Sequence, residues 1–350
     1  MTTPAAAGEL RHQLLCDLLR QVSRLFYTTL AIVPADVRDQ VSLGYLFARA
    51  ADTIADTEVI DVHRRLEFLL KLQHQFTSET PDWKEIAALQ AALIPHQATE
   101  AETVLLQRLD DCFRLYVNLT PIDRKYIQWL MATLPKGMAM DLKEFEEGTA
   151  AQPVALKTMD ELDRYTYLVA GCVGEFWTGL MCAHRHSLAG WDVEQMAAVG
   201  VRFGKGLQLT NIVKDLAHDL RRGRCYVPEP VLRQYRLEPT DLLDPLNRSR
   251  AQPIVRTLVK MAVEHLDQGW LYTIALPRSE IRLRLACMWP ILSAGETLRV
   301  VQDAPDLLNP AVKVKISRSK VYQIMALTTG TLACGSVGTA YWGHIRKHIV

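Results

Sequence analysis

Apolar residues at helical spacing, sustained through long stretches without Pro or Gly, constrain this 350-residue chain more than any other feature. Leu10, Leu14, Leu18, Val22 and Phe26 recur every fourth position and so project from one side of a helix. Leu66, Leu69 and Leu70 repeat the pattern more loosely. Sustained apolar/polar alternation, which a half-buried strand requires, is hard to find. Breaks are expected at Thr80-Pro81-Asp82, Leu93 to His96, Gln152-Pro153, Val227 to Pro230, Asp244-Pro245, Gln252-Pro253, Leu276-Pro277 and Asp303 to Pro310. None of these is a Gly/Ser linker. The expectation is an all-α fold, one domain over residues 1–350, with about ten or more helices.

Charge excludes several classes. The chain has 40 basic against 39 acidic side chains, a formal net charge of +1. That offers no electrostatic footprint for nucleic acid. With 49% hydrophobic residues, the composition is that of a globular protein and not a disordered one. Seven scattered cysteines without a CxxC point to a reducing compartment, and residues 1–10 lack the pattern of a secretory signal. The expected location is cytoplasmic. Val321 to Gly343 is uncharged and long enough to span a bilayer, yet it is rich in Thr and Gly. It reads as a terminal helix with a basic tail over 321–350; peripheral membrane contact stays open as a second reading.

The feature that carries chemistry is Asp52-Thr-Ile-Ala-Asp56, echoed by Asp215-Leu-Ala-His-Asp219. Side chains four apart share a helix face. The first stripe extends back through Arg49 and Tyr45, the second through Asn211 and Gln208. A lone DxxxD is usually a solvated surface. Two copies, each continued by polar residues and flanked by apolar ones such as Leu209, Ile212, Val213 and Leu216, point to function. Like charges one turn apart need compensation, and buried carboxylates are paired or hold a metal. Oxygen-only donors favour Mg²⁺, which keeps waters and bridges carboxylates to substrate phosphates. A diphosphate-bearing substrate follows, with Arg49 and the Arg221-Arg222-Gly223-Arg224 run neutralising further charge. Arg49 also stands at the right spacing to pair with Asp52. No P-loop, dinucleotide fingerprint, HExxH or GxSxG is present.

These residues resemble the squalene/phytoene synthases, head-to-head prenyltransferases of the all-α isoprenoid synthase fold with a central active-site cavity. The resemblance runs from about Gln21 to Tyr322. It is carried by Ser23-Arg24-Leu25-Phe26, Tyr45 to Asp56, Gly137 to Asp141, Tyr165 to Gly174 and Gln208 to Pro228, in the right order. It implies that Asp52, Asp56, Asp215 and Asp219 hold a Mg²⁺–diphosphate cluster. Arg49, Gln208, Asn211 and Arg224 would support it, while Ser23, Arg24, Phe26 and Tyr45 would place prenyl diphosphate. Tyr165 matches a tyrosine that assists proton or diphosphate handling, and Asp141 a motif residue of less settled role. Cys287-Met-Trp-Pro290 matches an apolar, cavity-lining helix, and Phe26, Phe47 and Tyr165 could face a carbocation, although for each taken singly plain core packing is the first expectation. Leu25 stands where the family usually has Ser or Thr, and Thr166 where it often has Cys.

Within the family, Asp52-Thr53 resembles squalene synthases, and the stretch from Lys313 through Lys315 to Arg318 resembles their NADPH-phosphate region. The implied reaction joins two farnesyl diphosphates through presqualene diphosphate and reduces the product with NADPH. Phytoene- or dehydrosqualene-type synthesis, or arrest at presqualene diphosphate, is the alternative without reduction. A catalytically silent helical assembly factor is the non-enzyme alternative, against which all four aspartates argue. Oligomeric state is not legible from the sequence.

Overall fold

The computed structural model describes residues 4–23, 26–78, 80–304, 307–309, 312, 314–330 and 336–349, with side chains from residue 8 onward except 336. In chain order, the helices used below are α1 (Ala35–Asp56), α2 (Glu100–Gln107), α3 (Pro121–Glu144), α4 (Met159–Thr166), α5 (Cys172–His184), α6 (Val193–Arg221), α7 (Arg248–Ala275), α8 (Ile281–Asp303), α9 (Arg318–Gly330) and α10 (Ser336–Lys347). Strand structure among the described residues is one parallel pair, β1 (Val154–Ala155) with β2 (Arg224–Cys225). The fold is all-α. The contacts divide it into two compact units, Met1–Lys143 with Phe176–His186, and Glu144–Glu175 with Ser187–Val350.

In the first unit, α1 follows Pro34 and runs without interruption to Asp56. Its positions Val37, Val41, Gly44, Phe47, Ala51 and Ile54 are buried at three- and four-residue spacing, so one face of the helix is core. Phe47, fully buried, meets Phe76 edge-on at 4.8 Å and Phe113 at 4.7 Å. Burying such a ring stabilises the fold by about 2–3 kcal/mol. Phe47 is therefore a core residue, which removes it from the candidates for facing a carbocation. The same unit contains a buried polar centre at Asp123, 1% exposed, in the first turn of α3. His184 lies 2.6 Å from one of its oxygens, while Gln40 and Thr120 donate to the other at 3.1 and 2.8 Å. Burial opposes the charged carboxylate, yet these hydrogen bonds hold its pKa below the ordinary 3.8.

In the second unit, α6 packs along α7 and against a π-helix at Tyr167–Gly171 that directly follows α4. The approach is close: a Cβ at Gly204 would lie 2.2 Å from the Ala170 carbonyl oxygen. Gly204 and Gly206, uninformative in the sequence, allow these contacts, and Lys205 between them is buried and donates to Asp163 at 2.6 Å. After α6 the chain turns at Gly223, φ +83°, and enters β2, where Val154 donates to the Gly223 carbonyl at 2.9 Å.

Two expectations change in detail. Pro253 lies inside α7, as Pro135 and Pro290 lie inside α3 and α8. Pro253 is the sixth residue of its helix, so it deletes one backbone hydrogen bond near the end, which packing of the remaining turns offsets. The stretch 321–343 falls on two helices, α9 and α10, with residues 331–335 outside the described residues. No helix among the described residues is long and apolar enough to cross a membrane.

Candidate active site

The first stripe, Tyr45 to Asp56, occupies the last three turns of α1. Its apolar flank is sealed in the core, and Tyr45, Arg49, Asp52 and Asp56 are left on the accessible side. Arg49 pairs with Asp52 through Nη1, as the spacing anticipates, and with Glu102 on α2 through Nη2 at 2.8 Å. The Nε of Arg49 is buried without a hydrogen-bond partner. Asp52 has 41% of its side-chain surface accessible. Desolvation and the neighbouring Asp56 raise its pKa from 3.8 to about 6, against the opposing pull of Arg49. One guanidinium thus serves two carboxylates, Asp52 and Glu102. Glu102 was not anticipated. The only local signal for it is Thr99-x-x-Glu102, a helix-start pattern in which the Thr99 hydroxyl donates to Glu102 at 2.8 Å.

Beside this stripe, Phe26 is 40% exposed and stacks on Tyr45 at 5.7 Å. Ser23 is buried and donates its hydroxyl proton to the Leu19 carbonyl one turn back. That leaves it only acceptor capacity toward a ligand. Arg24 and Leu25 lie outside the described residues.

The second stripe runs along α6. Leu209, Ile212, Val213 and Leu216 are buried, while Gln208 and Asp219 are partly accessible and Asn211 is exposed. Asp215 contacts Lys214 and keeps 44% of its side-chain surface accessible. The aspartates therefore stand at an accessible face of α6. Amphipathicity explains it: the apolar residues need only one side of α6. The Gly223 turn then sets Arg224, partly buried, in β2.

Tyr165 at the end of α4 is buried, with its ring stacked on Tyr226 at 4.8 Å and the two hydroxyls 3.2 Å apart. Phe145 packs edge-on to Tyr226 at 5.1 Å. Tyr226 lies beyond β2, so the turn at Gly223 places both Arg224 and the partner of Tyr165. The pairing spans 61 residues and has no local sequence signal. Asp141 is buried. Cys287, Met288 and Trp289 are buried against the C-terminal helices: Trp289 donates to Thr328 at 2.9 Å, and Met288 lies against Gly338. Lys315 and Arg318 are exposed and have no ion-pair partner among the described residues; between them Ser317 accepts the Lys320 amide at 3.1 Å. A cavity of about 520 Å³ in the second unit is lined by Arg248, Val255, Arg256, Val301 and Leu308 among others, and by none of the expected site residues.

The donor chemistry fits Mg²⁺. Each stripe offers two hard carboxylates, and among the described residues no three acidic, His or Cys side chains gather to hold a metal by themselves. Remaining ligands would be water and phosphate oxygen, the usual arrangement for this ion. The free cations Lys315 and Arg318, beside a capped helix start, fit a nucleotide phosphate.

Solved structures agree on the all-α fold. A structure of TcSQS with the ligand E5700 superposes with a TM-score of 0.74 at 22% identity, covering 98% of this chain and 97% of that one. A dehydrosqualene synthase with ligand gives 0.65 at 17% identity, covering 94% and 99%. The squalene/phytoene synthase family model matches residues 19–320, and the chain belongs to that family. Squalene synthase of Cyberlindnera jadinii is 26% identical over 299 residues, and that of Homo sapiens is 26% identical over 299. Each match takes in 85% of this chain but spans only 63% and 65% of those relatives' own lengths.

Proposed function

We propose that this chain is a Mg²⁺-dependent head-to-head prenyltransferase that joins two farnesyl diphosphates through presqualene diphosphate and, with NADPH, yields squalene. The observation that carries the reading is the pair of accessible carboxylates on each of two helices, with arginine beside them, in a member of this family. A structural stripe would gain nothing from like charges one turn apart.

Asp52, Asp56, Asp215 and Asp219 are the residues that would hold Mg²⁺, which supplies Lewis-acid stabilisation of the departing diphosphate. Arg49, with its unpartnered Nε, Arg224 and the amides of Gln208 and Asn211 bind and orient the phosphates. Phe26 on Tyr45 offers an accessible aromatic platform for a prenyl chain, and Arg24 belongs to the same sequence motif. The Tyr165–Tyr226 hydroxyl pair can hold a proton and pass it between two phenols. An allylic cation left by ionisation would react with water, so the prenyl chains must lie against apolar walls. Lys315 and Arg318 bind the nucleotide phosphate. The proposed setting is the cytoplasm, with the product delivered to a membrane surface.

Pyrophosphate release from farnesyl diphosphate tests the site. It is expected with Mg²⁺, to vanish with EDTA, and to fall about 100-fold or more in Asp52→Asn and in Asp219→Asn. Retained turnover in both variants would refute the two-stripe site.

A further inference from the structure

Glu296 is a buried acid that the reaction above does not use. It lies on α8 and is 3% exposed. Lys320 on α9 approaches one of its oxygens at 2.8 Å, and the Tyr341 hydroxyl on α10 donates to the same oxygen at 2.7 Å. Arg299 donates to the other at 3.0 Å. The Lys320 ammonium also stands 5.8 Å from the Tyr341 ring centroid. Burial opposes the carboxylate charge, but the bonds from Lys320, Tyr341 and Arg299 outweigh it and lower its pKa.

What this anchor fixes follows from the sequence around it. Residues 307–350 contain no Asp or Glu, so any acidic side chain that pairs with their six Lys and Arg residues belongs to an earlier part of the chain. Among the described residues two such pairs are formed: Lys320 with Glu296, and Arg346 with Asp267 on α7 at 2.9 Å. Lys315 and Arg318 are left exposed and unpaired among the described residues, immediately before the anchored turn. Lys320 is in the first turn of α9, its amide capped by Ser317. Holding Lys320 therefore holds the cap, and with it the direction in which the two free cations leave the helix.

We infer that Glu296 is a positioning residue for the reductant: by binding Lys320 and Tyr341 it fixes the start of α9 so that Lys315 and Arg318 face a nucleotide phosphate. This rests on the NADPH reading above. Glu296→Gln keeps the size of the side chain and removes its charge, loosening Lys320 without touching either stripe.

The test uses the full chain and three readouts. NADPH affinity, followed by nucleotide fluorescence, is expected to weaken about tenfold in Glu296→Gln. Pyrophosphate release without NADPH should stay within about twofold of wild type, since presqualene diphosphate formation needs no reductant. Trypsin should cut after Lys315 and Arg318 faster than in wild type. Glu296→Asp, which keeps the charge, should recover most of the NADPH affinity. If Glu296→Gln fails to fold, Lys320→Gln should give the same selective loss. Equal loss of NADPH affinity and NADPH-free turnover, or unchanged affinity, overturns the positioning role. Wild-type protein that binds no NADPH overturns the cofactor reading instead, and faster tryptic cleavage would then still support the anchor.

Discussion

At the scale of single residues, charge is arranged in small unbalanced groups. Arg49 pairs with both Asp52 and Glu102, and burial together with Asp56 raises the Asp52 pKa, a load of negative charge that a divalent cation would relieve. Asp123 is the opposite case: a buried acid whose oxygens are all occupied by His184, Gln40 and Thr120. Its folded pKa lies below the ordinary value, so the stability it contributes is present above about 3.8 and is lost as the pH falls through the folded value. Asp123→Asn is expected to lower the unfolding free energy by about 2–3 kcal/mol at pH 7. Urea midpoints of variant and wild type should then converge on acidification below pH 4. A gap that persists undiminished in acid would contradict the assigned role of the carboxylate charge.

At the scale of elements, the turn after α6 has the largest consequences for its size. Gly223 adopts φ +83°, and a Cβ there would meet the Gly148 backbone at 2.2 Å. The backbone approach at this point is what pairs β2 with β1, and β2 orients Arg224 and delivers Tyr226 to Tyr165. Gly223→Ala should therefore destabilise the protein by about 1–3 kcal/mol through both strain and overpacking. Thermal unfolding measures that cost. Pyrophosphate release at a temperature where the variant remains folded should also decline; an undisturbed midpoint would mean the loop can rearrange freely. The small strands themselves illustrate what local sequence conceals. Two residues are too short for any alternating pattern, and their pairing partner lies about 70 positions away.

At the scale of the whole molecule, the helical architecture and both stripes were legible because each rests on a local rule. Apolar spacing marks one face of α1 and α6, and polar residues three and four apart mark the other. The Arg49–Asp52 pair was legible for the same reason. Glu102 on Arg49, Tyr226 on Tyr165, Lys205 on Asp163 and Glu296 on Lys320 were not, because each is a contact between different elements, beyond the reach of any local spacing rule. Phe47 packs in the core, as its helix face suggested, but its neighbours Phe76 and Phe113 were not readable. Pro253 shows that a strong local breaker yields when the rest of a 28-residue helix is packed. Near-neutral net charge likewise conceals a C-terminal stretch without Asp or Glu, in which Lys320 and Arg346 pair with acids of earlier helices.

The most direct measurement is the lipid product formed from farnesyl diphosphate and Mg²⁺, extracted after parallel incubations with and without NADPH. Squalene is expected only in the presence of NADPH, with presqualene diphosphate or an unreduced hydrocarbon in its absence. Identical products in both incubations would contradict the reductive reaction, and the absence of any head-to-head product would contradict the synthase reading as a whole.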